Sequence, residues 1–157
     1  MTDASRQFII SRLWAHVQEV RSYTDGLSPE QLKERPSVDQ LSLHEIVMHL
    51  VGDQDMYIER VAHMLEEEHA ELVPLNGASE VNESYVALNF NEGIRSYVEQ
   101  RKTLISLLKT LDDRQWRKEG KHPHAPNYTV EKCMESLMRH EEHHLYEMFN
   151  VFFGVKE

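Results

Sequence analysis

Cys133-Met134-Glu135-Ser136-Leu137-Met138-Arg139-His140-Glu141-Glu142-His143-His144-Leu145-Tyr146-Glu147-Met148-Phe149-Asn150-Val151 is the stretch whose reading decides the fold. At about 100° per residue, Val130, Cys133, Leu137, Met148 and Val151 fall within roughly 40° of one line, which predicts an amphipathic helix rather than a strand. Thr129 is a plausible N-cap and Gly154 a stop, so the helix is expected over about Val130 to Phe153. His144 lies inside the apolar stripe and His140 at its margin. His143 points away, and Glu141 lands near the stripe, where a carboxylate is costly to bury without a compensating partner.

Upstream, the same periodicity recurs. A first helix is expected from about Ala4 to Asp25, with Ile9, Leu13, Val17 and Val20 as its apolar face and Thr2 or Asp3 as its cap. Ser28-Pro29 opens one short turn of helix. Ser42 and Glu45 form a capping box ahead of Ile46, Val47, Leu50, Tyr57, Val61 and Leu65, which predicts a second long helix to about Glu68. On it His49 sits at the edge of the stripe, one turn after Glu45 and one turn before Asp53, while His44 points away. Leu72 to Glu83 breaks the pattern and reads as a long connection. A third helix is expected from around Ser84, with a possible interruption near Gly93, continuing through Ile94, Val98, Ile105, Leu108 and Leu111. Gly120 to Tyr128 reads as irregular. Four long amphipathic helices without a strand signal predict an all-α four-helix bundle, up-and-down or crossover, as a single domain over residues 1–157.

Composition agrees. The chain has 157 residues, 40% hydrophobic and 28% charged, which is enough for one core and too apolar for disorder. The net charge of −10, without a basic cluster, argues against nucleic acid and anionic membrane as partners. No apolar run approaches the roughly 18 residues of a membrane span. The single cysteine, Cys133, excludes an internal disulfide and, with no leader pattern at the N-terminus, leads us to expect a cytoplasmic protein.

Two histidines at i and i+4 on one helical face can grip one divalent ion. The run His140-Glu141-Glu142-His143-His144 matches the H-E-x-x-H pattern of zinc proteases, yet the further glycine and histidine of metzincins are absent. A third ligand must come from upstream. His49, His16, His122, His124 and inward carboxylates are the candidates, and His49 is favoured because ligands in a bundle converge from facing helices. His16 is expected to be a packed or rim histidine, and Cys133 a small buried residue. A carboxylate-bridged di-iron site needs E-x-x-H on two helices, and only one is present. Glu141 is either a proton acceptor beside the ligands or the partner of a basic residue such as Arg101. Asp53 is a candidate orienter, and Glu45 is better explained by its cap.

Leu41-Ser42-Leu43-His44-Glu45-Ile46-Val47-Met48-His49 together with Leu137-Met138-Arg139-His140-Glu141-Glu142-His143-His144 resembles the DinB-like (DinB/YfiT) family of bacterial four-helix metalloproteins. Trp116-Arg117, Gly120-Lys121-His122-Pro123 and Tyr128-Thr129-Val130 are similar to that family's connection into the last helix. The resemblance spans about residues 5 to 153. It implies a bundle with a long crossover between the second and third helices, and His49, His140 and His144 as ligands to Ni2+, Zn2+ or another divalent ion. It also implies a homodimer. Members with assigned activities include thiol-dependent S-transferases, such as bacillithiol transferases, and thiol-dependent isomerases; others are described as metal-dependent hydrolases. Many relatives carry glutamine where this chain has Glu147. The expected activity is metal-assisted transfer of a low-molecular-weight thiol to a small electrophile, with Glu141 as catalytic proton acceptor. The alternatives are metal-dependent hydrolysis of a small ester or amide, and a non-catalytic metal-binding stress protein.

Overall fold

The structure is a computed structural model that describes residues 2–74 and 87–155. Four long helices, α1 (Asp3–Thr24), α3 (Leu43–Glu66), α4 (Phe90–Thr110) and α6 (Val130–Phe153), are joined through the short helices α2 (Pro29–Lys33) and α5 (Asp113–Trp116) and a small sheet. Each helix starts where a side chain can satisfy the free N–H groups of its first turn. Thr2 accepts from the Ser5 N–H, Ser42 exchanges a capping box with Glu45, Asn89 accepts from Glu92 and Thr129 from Lys132. Gly154, at φ 65°, takes the left-handed conformation that ends α6.

Side-chain pairings fix the directions of the helices. His16 meets Glu141 and Tyr23 meets Phe152, so α1 and α6 run parallel. His44 packs on Phe90, and Gln54 bonds to the Tyr97 carbonyl and to Gln100, so α3 and α4 also run parallel. His49 meets His144 and Asp53 meets His140, which makes α3 antiparallel to α6. Two adjacent parallel helices cannot be joined by a tight turn. The end of α3 and the start of α4 therefore lie toward opposite ends of the bundle, as the expected long crossover requires. Within that connection, residues 75–86 lie outside the described ones, including the expected start of the third helix at Ser84. The described helix begins at Phe90 and passes Gly93 without interruption. The Met48 thioether occupies the place a Cβ would take at Gly93, so that glycine marks a close approach of α3 and α4.

Two further expectations need correction. The stretch read as irregular contains β2 (Glu119–His122) and β3 (Ala125–Thr129), an antiparallel hairpin, and β1 (Ala70–Glu71) pairs parallel to β2. These strands are too short to show alternation; of the hairpin's residues only Gly120 and Tyr128 are buried. His44, expected to point outward, is 2% exposed, because α4 covers a second face of α3.

The core is divided. One apolar cluster gathers Ile9, Leu13, Val61, Leu104, Met134 and Leu137, and a second gathers Val17, Val20, Ile46, Leu50, Leu145 and Met148. Between them lies a polar belt with residues from all four long helices.

Candidate metal centre

Successive turns of α3 and α6 bring four ligating groups together. His49 Nε2 is 3.1 Å from His144 Nε2 and 2.9 Å from Asp53 Oδ2, and His140 Nε2 is 2.5 Å from the same carboxylate oxygen. One ligand atom from each of the four lies within 4.8 Å of all the others. Ligands about 2.1 Å from a tetrahedral ion sit roughly 3.4 Å apart, so these groups converge on a spot the size of one divalent ion. The three rings meet nearly edge-on, at 63° to 81°, so their nitrogens approach from separate directions. His49, Asp53 and His144 are buried, whereas the His140 side chain is 30% exposed and marks the open side.

The protonation pattern suits a ligand set. The His144 Nδ1–H donates to Glu147 at 2.6 Å, which leaves the Nε2 lone pair facing the other ligands. Burial holds the His144 pKa below its ordinary value despite Glu147. Burial alone would raise Asp53, yet the hydrogen bonds from His140 and His49 hold it at about 2, so it is a carboxylate. The same bond to Asp53 raises the His140 pKa against the opposing effect of burial. Burial opposes ionisation of Glu147 too, but its bond to His144 keeps it below the usual carboxylate range.

The structure therefore brings together His49, His140 and His144 and adds Asp53, which the sequence suggested only as an orienter. Glu141 is placed elsewhere. Its carboxylate pairs with Arg101, accepts from the Tyr97 hydroxyl at 3.0 Å and meets His16 Nδ1 at 2.8 Å, with all four residues at 1% exposure or less. Arg101 is tied further to Gln54 and to the Leu13 carbonyl. Burial would raise the Glu141 pKa; Arg101 and His16 override it and keep the group ionised. Of the two roles considered for Glu141, this geometry is that of a partner for Arg101. His16 is packed, fully buried, in the same network.

The remaining candidates lie apart. His122 and His124 sit at the hairpin, where the His124 N–H donates to His122 Nδ1 and the His122 ring packs tilted against Tyr128. His143 is largely exposed and pairs with Glu147. Cys133 is buried, its thiol pushed up to about 11 by that burial, so it is a poor nucleophile. Asp53 carried a legible signal, one turn after His49. Tyr97 and Arg101 fall on the same helical period as Ile94, Ile105 and Leu108, and the sequence offers Arg101 as a partner of Glu141.

A model of the DinB superfamily matches residues 12–148 of the chain. Among solved structures, one described as "YfiT from Bacillus subtilis is a probable metal-dependent hydrolase with an unusual four-helix bundle topology" superposes with a TM-score of 0.84 at 18% identity, covering 96% of this chain and 87% of that chain. At that identity the likeness is one of fold. No curated protein matches.

Proposed function

The chain belongs to the DinB superfamily, and from that premise we propose that it is a divalent-metal enzyme that joins a low-molecular-weight thiol to a small electrophile. The observation that carries the proposal is the convergence of His49, His140, His144 and Asp53 on one spot with His140 at its open side. The three imidazoles would hold Ni2+ or Zn2+ through Nε2, with the Asp53 carboxylate as the fourth member of the ligand group. When bound, the ion supplies Lewis acidity that favours thiolate or hydroxide over thiol or water. The thiol proton would leave to solvent at the open side beside His140. Glu147 fixes the ring of His144, and the Glu141–Arg101 pair anchors α6 behind the ligands. The thiol and the electrophile are the proposed partners, and a reducing cytoplasm is the proposed setting. A homodimer is the proposed assembly, in keeping with the exposed aromatic run Tyr146, Phe149, Phe152 and Phe153 on α6.

Hydrolysis of a small ester or amide is the second reading. It is favoured by the description of the YfiT structure and by a carboxylate beside the ligands. The test is to load the protein with Zn2+ or Ni2+. Bacillithiol, glutathione and coenzyme A are then offered with monochlorobimane or an epoxide, and in parallel an activated ester is offered with water alone. Metal-dependent conjugation that chelation and His140→Ala both abolish is expected. Ester turnover without thiol transfer selects the second reading, and metal binding with neither reaction selects a binding protein. Full metal retention by His140→Ala would overturn the site itself.

A further inference from the structure

The facing rows of α3 and α6 do not end at the metal ligands. His49 meets His144, Asp53 meets His140, and one turn further the Tyr57 hydroxyl meets Ser136 Oγ at 3.0 Å. The next polar group on that face of α3 is Arg60. Its guanidinium lies 6.0 Å from the centre of the Tyr57 ring and 5.7 Å from that of Tyr128. It donates to the Tyr128 hydroxyl at 3.3 Å and to the Val73 carbonyl at 2.5 Å.

Arg60 is only 7% exposed, and among the described residues no carboxylate forms an ion pair with it. The other two buried arginines are each matched: Arg6 with Glu131 and Asp113, and Arg101 with Glu141. Burying a cation among neutral acceptors carries a desolvation cost that they only partly offset. The charge is felt by its neighbours, since Arg60, after burial itself, helps to hold the His122 pKa down. Aromatic faces on two sides leave the planar fork suited to one more planar, two-oxygen acceptor. Seven residues separate Arg60 from Asp53, or about 10 Å along the helix axis, on the same row as the metal ligands.

We infer that Arg60 receives a carboxylate carried by the thiol substrate, while the thiol end of that molecule reaches the metal ligands about 10 Å away. This rests on the metal reading given above for its far end and on Arg60 for its near end, and the two can fail separately. A substrate of this class is a flexible chain with a thiol at one end and a carboxylate at the other, and Arg60 would set both its affinity and its direction of binding.

The test compares mercaptohexanoate with mercaptohexanol, which share a length and differ in charge. Binding to the cobalt-loaded protein is followed by the thiolate-to-cobalt absorption band. The acid should bind at least about tenfold tighter than the alcohol, the ratio expected from one charge-assisted contact. Arg60→Gln should erase that ratio while leaving cobalt content and the affinity for the alcohol unchanged, and Arg60→Lys should keep part of it. Equal affinity of the native protein for acid and alcohol overturns the inference, and so does an Arg60→Gln variant that weakens both alike. Should the protein take up no cobalt, the metal reading fails. Calorimetric titration of the metal-free protein with hexanoate against hexanol then decides the role of Arg60 alone, with preference for the acid in the native protein and none in Arg60→Gln as the supporting result.

Discussion

Glu141 and Glu147 lie on one helix, and their surroundings give them different work. Glu141 is enclosed by Arg101, Tyr97 and His16, whereas Glu147 is 39% exposed and bonds to the outer nitrogen of His144. Glu141→Gln leaves Arg101 buried without its anion and should destabilise the protein by about 3–5 kcal/mol in urea unfolding, with metal content retained. Loss of metal without loss of stability would instead place Glu141 among the ligands. The ligand pair has its own pH signature. His140 is raised above 6.5 by Asp53, and a metal must displace that proton, so metal affinity should fall on acidification with a midpoint above 6.5. In the metal-free protein the His140 contribution to stability is fully present below 6.5 and is lost as pH rises through the raised value. The Asp53 contribution is present above 3.8 and is lost as pH falls toward about 2. These two groups therefore favour the metal-free fold most between about pH 4 and 6.5, while His144, lowered by burial, works the other way below 6.5; urea midpoints of the native protein and of His140→Ala across that range check it, and an identical profile for the two would contradict the pairing.

At the scale of elements, the sheet fixes where α6 begins. The Val130 N–H bonds to the Lys118 carbonyl, and Thr129 caps the helix at the end of β3. β2 can lie against α3 and β1 only because Gly120 has no side chain. A Cβ there would stand 2.7 Å from Leu72 Cδ1, 3.0 Å from its Cγ and 3.2 Å from Met64 Cγ. Gly120→Ala should therefore cost about 1–3 kcal/mol by overpacking, read as a lower urea midpoint at an unchanged slope. A neutral result would mean that the hairpin moves aside freely and does not set the position of α6.

For the whole molecule, a bundle that splits its apolar core into two clusters must tie them together across the polar belt. Glu141, Arg101, His16 and Gln54 do so on one side, and the four ligating groups do so on the other. A bound ion would link α3 to α6 in the folded state alone. Metal at a hundred times its dissociation constant should stabilise the protein by about 2.7 kcal/mol, and chelation should lower the melting temperature accordingly. Native protein that melts at the same temperature with and without Zn2+ and Ni2+ would count against the site.

The sequence by itself determined the long helices and those ends that a cap or a glycine marks, because periodicity and capping act over a few residues: Ser42 with Glu45, Thr129 and Gly154 mark boundaries the structure reproduces. It also set His140 and His144 on one face and raised His49 as their companion. The membership in the DinB superfamily follows from such motifs in order along the chain. Only the tertiary structure decided that α3 and α4 run parallel, that Asp53 enters the ligand group and that Glu141 turns to Arg101. It alone also showed Arg60 buried without a described anion. The physical reason is one of range. A helical face is fixed by neighbours three and four residues away, whereas the partner of a buried charge is fixed by the register between helices, and residues such as Arg101 and Glu141 stand forty positions apart.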